Sequence, residues 1–135
     1  MRMKTSLVLF GLIALGGAPA RAEWLRAGQD DFSTIYYDPA TRRALDDGAI
    51  QLDALTDYNP QSPQAASFRL SEKGLSEIET AVFDCAKGAW RSQGGHWYAG
   101  HMATGSVRSE YPARTDWRKI PSFYASLFGT VCAGR

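Results

Sequence analysis

From Ala49 to Tyr58 apolar and polar residues alternate. Ile50, Leu52 and Ala54 fall on one side of an extended chain, Gln51 and Asp53 on the other. That period of two predicts a strand with one face turned to a core. Runs rich in β-forming residues predict further strands over Glu23–Ala27 and Phe32–Tyr37, and a last one over Ser106–Tyr111, before Pro112. Leu75–Lys87 is the long strand. Ala81, Phe83 and Cys85 share one of its faces; Ile78, Thr80 and Val82 share the other. Two partly apolar faces predict a central strand covered on both sides over part of its length. Ala89–Ala99 is another strand, with Gly94-Gly95 marking a bulge or bend. Turns are expected at Asp38-Pro39-Ala40-Thr41 and Asp46-Asp47-Gly48. The polar segment Asn59-Pro60-Gln61-Ser62-Pro63-Gln64 is expected to be the least ordered internal loop.

Near the end the period changes. Tyr124, Leu127, Phe128 and Val131 stand at i, i+3, i+4 and i+7, the core stripe of a helix. Pro121 and Ser122 suit its start and Gly134 its end.

The first residues follow another logic. Arg2 and Lys4 precede the apolar run Leu7–Ala14, which is too short to span a bilayer, and Ala20-Arg21-Ala22 has the form that signal peptidase cuts. Residues 1–22 are therefore expected to be an export signal cleaved between Ala22 and Glu23. Residues 23–135 would then form one domain, soluble and periplasmic or secreted, with no later segment apolar enough to span a membrane. Cleavage removes Arg2, Lys4 and Arg21 from 15 basic residues and leaves 14 acidic ones, taking the formal net charge from +1 to −2. A weakly acidic domain is a poor match for nucleic acid, anionic lipid or heparin-like chains.

A chain of 135 residues with 16 aromatics is neither disordered nor long enough for a barrel or a doubly wound fold. Its only cysteines are Cys85 and Cys132. In an oxidising compartment that minimal pair favours one structural disulfide over a redox pair or half of a metal site. Cys132 flanks the helical stripe, so the bridge would staple the helix to the long strand.

Candidate chemistry is sparse. His96 and His101 lack the further ligands that zinc needs. Ser33, Ser71, Ser76 and Ser92 lie in no nucleophile elbow. Asp30-Asp31 and Asp46-Asp47 lack calcium-loop spacing, and Gly94, Gly95 and Gly100 open no helix that could cradle phosphate. Glu77 and Glu79 point to one strand face and could form an acid/base pair, but are expected to be a solvated face. Catalytic residues, metal and cofactor are thus expected to be none. His96, Trp97 and Tyr98 are a candidate binding patch, set against the commoner role of aromatics in small cores.

The ordered set of short features resembles a family. Trp24 opens the domain, and Ile35-Tyr36-Tyr37-Asp38-Pro39-Ala40-Thr41 and Leu55-Thr56-Asp57-Tyr58 follow. Ser76 precedes Asp84-Cys85 by nine positions from Cys85; Tyr98-Ala99-Gly100, Gly105, Trp117, Ile120-Pro121-Ser122 and Cys132 complete the series. In these features the chain resembles the bacterial surface-adhesin protein E family. The resemblance implies an α+β fold: a curved antiparallel sheet of about six strands, with the C-terminal helix tied across one face by Cys85–Cys132. It also implies a role at the cell envelope, where named members bind host extracellular-matrix proteins; with no nucleophile, cofactor motif or metal set, the domain is expected to be non-enzymatic. The expected partner is a protein, of the host matrix or the envelope. The alternative is a soluble periplasmic inhibitor or accessory protein that plugs another protein's cleft.

Overall fold

The computed structural model describes residues 22–133. The export-signal reading of residues 1–22 lies outside the described residues up to position 21, as does the helix stop assigned to Gly134. Strands β1 (Leu25–Gln29), β2 (Ser33–Ala44), β3 (Ile50–Tyr58), β4 (Ser76–Asp84), β5 (Ala89–Tyr98) and β6 (Val107–Tyr111) pair in chain order, each antiparallel to the next. A two-residue strand, β7 (Arg118–Lys119), pairs with Ala89 and Trp90 of β5, while β6 pairs with Gly95–Tyr98 along the same edge. Two short helices, α1 (Gln64–Ser67) and α2 (Leu70–Lys73), join β3 to β4. Helix α3 (Ala125–Cys132) follows a 3-10 turn over Ser122–Tyr124. This is the expected α+β sheet with a C-terminal helix, one small strand larger.

Local signals were answered in two different ways. Asp46-Asp47-Gly48 makes the expected turn: Ala49 N–H donates to Asp47 Oδ1 at 3.0 Å, and Gly48 takes φ +84°, which a side chain disfavours. The Asp38–Thr41 signal does not end its strand. β2 runs on to Ala44, and the register passes from Asp38↔Asp53 to Arg43↔Gln51 across a bulge. Asp38 still bonds locally, accepting from Ala40 N–H at 3.0 Å, but Thr41 Oγ1 accepts from Asp53 N–H at 2.9 Å and ties the bulge to β3. Pairing with β3 turned a reversal signal into an irregular edge. The segment expected to be least ordered leads directly into α1 and α2, each four residues long and too short to display a helical period.

Among the described residues two hydrophobic clusters form. The first joins Ile35, Ile50, Leu52, Ala54, Ala81 and Phe83 of the sheet to Tyr124, Leu127 and Val131. The second gathers Tyr58, Leu70 and Trp97, with Phe32, Phe68, Leu75 and Tyr111 against them. Ile50, Leu52, Ala54 and Tyr58 are all even-numbered residues of one strand, so the two clusters occupy opposite ends of one sheet face. Helix α3 covers one end; α1 and α2 cover the other. The bridge Cys85–Cys132, with Cα atoms 5.6 Å apart, holds α3 to the end of β4. Closing a loop of 47 residues removes roughly 4 kcal/mol of unfolded-chain entropy.

Candidate functional site

Between the two clusters the sheet face is polar. β4 carries Glu77 opposite Thr56 and Glu79 opposite Ala54. The expectation of a solvated strand face is overturned here: Glu79 is 8% exposed. Ala81 and Phe83 lie on the core side of β4, and the strand's period of two carries Glu77 and Glu79 to that same side.

Tyrosines from three other elements satisfy the buried Glu79 and the half-buried Glu77. Tyr58 OH, at the end of β3, donates to Glu77 Oε1 at 2.8 Å. Tyr111 OH, at the end of β6, donates to Glu77 Oε2 at 2.9 Å and approaches Glu79 Oε2 at 3.2 Å. Tyr124 OH, fully buried beside α3, donates to Glu79 Oε1 at 2.5 Å. Gly95 makes room for this arrangement, since a Cβ there would collide with the Tyr111 hydroxyl. Gly94 bulges β5 at φ +98° and brings Gly95 opposite Glu79.

The ion pairs among the described residues are His96–Glu110, His101–Asp57 and Arg118–Asp116, none of which includes either glutamate. Without a bonded cation, Glu77 is pushed up to about 7, first by burial and then by the charge of Glu79. The hydroxyls of Tyr58 and Tyr111 and the more distant Lys73 oppose that rise. Burial and the adjacent carboxylates raise Tyr58, Tyr111 and Tyr124, so all three stay protonated donors.

The carboxylates open onto different spaces. Glu77 lines a cleft of about 240 Å³ between α1 and the Ser122–Tyr124 turn, walled by Phe32, Tyr58, Phe68 and Phe123. Glu79 lines another of about 370 Å³ with Trp90, Tyr111 and the rim residues Arg91, Arg114 and Arg118. The two carboxylates, both within reach of the Tyr111 hydroxyl, thus line separate clefts.

The remaining predicted residues fall as follows. Cys85 and Cys132 are bridged. His96, Trp97 and Tyr98 are not brought together, because alternate residues of a strand face opposite ways. Trp97 is 8% exposed and stacks on Tyr58 at 5.3 Å in the second cluster. His96, on the opposite face, is exposed and pairs with Glu110 at 3.3 Å. His101 sits 3.1 Å from Asp57. Among the described residues no group of three or more His, Cys, Asp and Glu side chains could hold a metal ion. Ala22 and Glu23 are exposed.

The tyrosine partners escaped sequence reasoning. A signal for the burial was present: Glu77 and Glu79 have the same parity as Ala81, Phe83 and Cys85. A family model described as surface-adhesin protein E matches residues 24–133. No curated protein and no solved structure matches the chain.

Proposed function

This chain belongs to the surface-adhesin protein E family, and from that premise we propose that it is an exported, non-enzymatic domain that binds a protein at the cell envelope or surface. The observation that carries the reading is Phe123. It is 44% exposed and lines the same cleft as Glu77. Its neighbour Tyr124 is buried and bonded to Glu79, and α3 behind it is tied by the disulfide. An exposed aromatic on a rigid support is the kind of group that dominates protein interfaces, because little ordering entropy is lost on contact. Among the described residues no helix is long and apolar enough to cross a membrane.

The test begins with the full chain expressed in its exporting cell. Mass measurement of the processed protein should give a start at Glu23. That protein should bind an identified envelope or host-matrix protein saturably, and Phe123→Ser should weaken binding about tenfold with the melting temperature unchanged. Equal binding by wild type and variant would overturn the assignment of Phe123. A periplasmic pool shielded from protease on intact cells would favour the accessory-protein role over adhesion. Tyr98→Ala, on the opposite face, tests whether His96 and Tyr98 make a second contact surface.

A further inference from the structure

The cleft at Glu77 combines features that select a ligand. Its floor is a carboxylate whose hydrogen-bond donors are the neutral hydroxyls of Tyr58 and Tyr111. Its walls are aromatic: Phe32 lies 5.1 Å from Tyr58 and 5.3 Å from Phe68, centre to centre, and Phe123 stands on the separate Ser122–Tyr124 turn. Asp30 lines the same cleft, oriented by hydrogen bonds from the Phe32 and Ser33 N–H groups. No lysine or arginine is among the lining residues. The chain's own Lys73 lies outside the lining but places Nζ 3.7 Å from the centre of the Phe68 ring, so this aromatic cluster already accommodates a cation elsewhere on its surface.

Size narrows the occupant. About 240 Å³ is below the 300–1,000 Å³ of pockets that enclose whole small molecules, and suits one long side chain. We propose that this cleft is the socket for one lysine or arginine side chain of the protein partner, its charge seated on Glu77 and its methylenes against Phe32, Phe68 and Phe123. The proposal rests on the protein-binding reading above and supplies the chemistry of the contact. Folding has already desolvated Glu77 and fixed it between two hydroxyls, so an arriving cation meets a positioned carboxyl and favours its charged form in a medium that screens weakly. Aromatic faces offset part of the cation's own lost hydration, and its stem covers apolar surface.

The experiment titrates the processed protein, isotopically labelled, with Nα-acetyl-lysine-N-methylamide and with its uncharged norleucine counterpart. Saturable amide shifts at Thr56, Tyr58, Phe68 and Phe123 are expected with the lysine probe alone. Glu77→Gln should weaken the probe about tenfold or more, and Glu110→Gln, on the exposed opposite face, should leave it unchanged. Phe123→Ala guards against a folding failure at Glu77 and should weaken the probe several-fold. Equal binding of the two probes, or full binding by both Glu77→Gln and Phe123→Ala, overturns the socket. Partner binding is measured separately on the same variants. If it survives while lysine-probe binding is absent, the socket is wrong and the protein-binding reading stands. A working socket on a protein that binds no envelope or matrix protein overturns that reading instead.

Discussion

The two ends of one sheet face solve burial differently. At the α3 end aliphatic and aromatic side chains mix: Leu52, Ala54, Ala81, Leu127 and Val131 pack around Phe83, Trp90, Tyr124 and Phe128, and the disulfide closes the layer. At the other end α1 and α2 are too short to seal the sheet. There Phe32, Tyr58, Phe68 and Trp97 pack ring against ring beside a half-buried carboxylate and an open cleft. The first arrangement secures the fold. The second leaves Glu77 and the edge of the aromatic cluster lining an open cleft. In a small domain, stapling one end of the core allows the other to stay open.

The largest expected effects break the ends separately. Trp97→Ala should destabilise the protein by about 3–5 kcal/mol, because it empties a stacked, buried site. In native-state hydrogen exchange it should expose α1 and α2 first and leave α3 protected. Little loss of stability in denaturant melts would show that the aromatic end contributes less than its burial implies. Cys85→Ser and Cys132→Ser should each cost about 2–5 kcal/mol, and the double variant no more than either, since both remove one bond. Here α3 should exchange first while the Trp97 cluster stays protected. Additive losses in the double variant would contradict a single shared bond.

A pH-dependent effect separates the polar seam from both ends. Glu77 moves from an ordinary 4.5 to about 7 in the fold. The folded state therefore binds this proton more tightly than the unfolded chain. The linked stability is fully present below about pH 4.5 and is lost as pH rises through about 7, amounting to about 3 kcal/mol. The groups facing the site are Tyr58 from β3, Glu79 on β4, Tyr111 from β6, Lys73 from α2 and Tyr124 beside α3. Glu77→Gln should flatten the slope of stability between pH 5 and 8, measured by urea denaturation at each pH. A slope unchanged by the substitution would place the titrating group elsewhere. Smallest is Gly129→Ala in α3. A Cβ there meets nothing within 4 Å, so the substitution should stabilise by about 0.5–1 kcal/mol. A gain confined to α3 exchange would mark that end as still improvable despite its staple.

Much of the architecture was legible in local patterns. The alternation Ile50–Leu52–Ala54, the face Ala81–Phe83–Cys85, the stripe Tyr124–Leu127–Val131 and the cysteine pair all specify contacts through spacing alone, and each is found in the first cluster or beside it. The bulge at Gly94-Gly95 was legible too, because glycine there marks a chain that must leave regular pairing.

What the bulge does was decided only by the paired sheet. Trp90 stands opposite Phe83 and Trp97 opposite Glu77, so an even and an odd residue of β5 share one face, because one extra residue lies between Ser92 and Gly95. Counting by twos along β5 cannot show this; only pairing with β4 can, since a shift of one residue turns every later side chain over. The burial of Trp97 and the access of Tyr111 to both glutamates follow from that shift. Periodicity within an element thus determined which residues travel together. Register between elements determined what they meet, and it depends on hydrogen bonds between residues far apart in the chain.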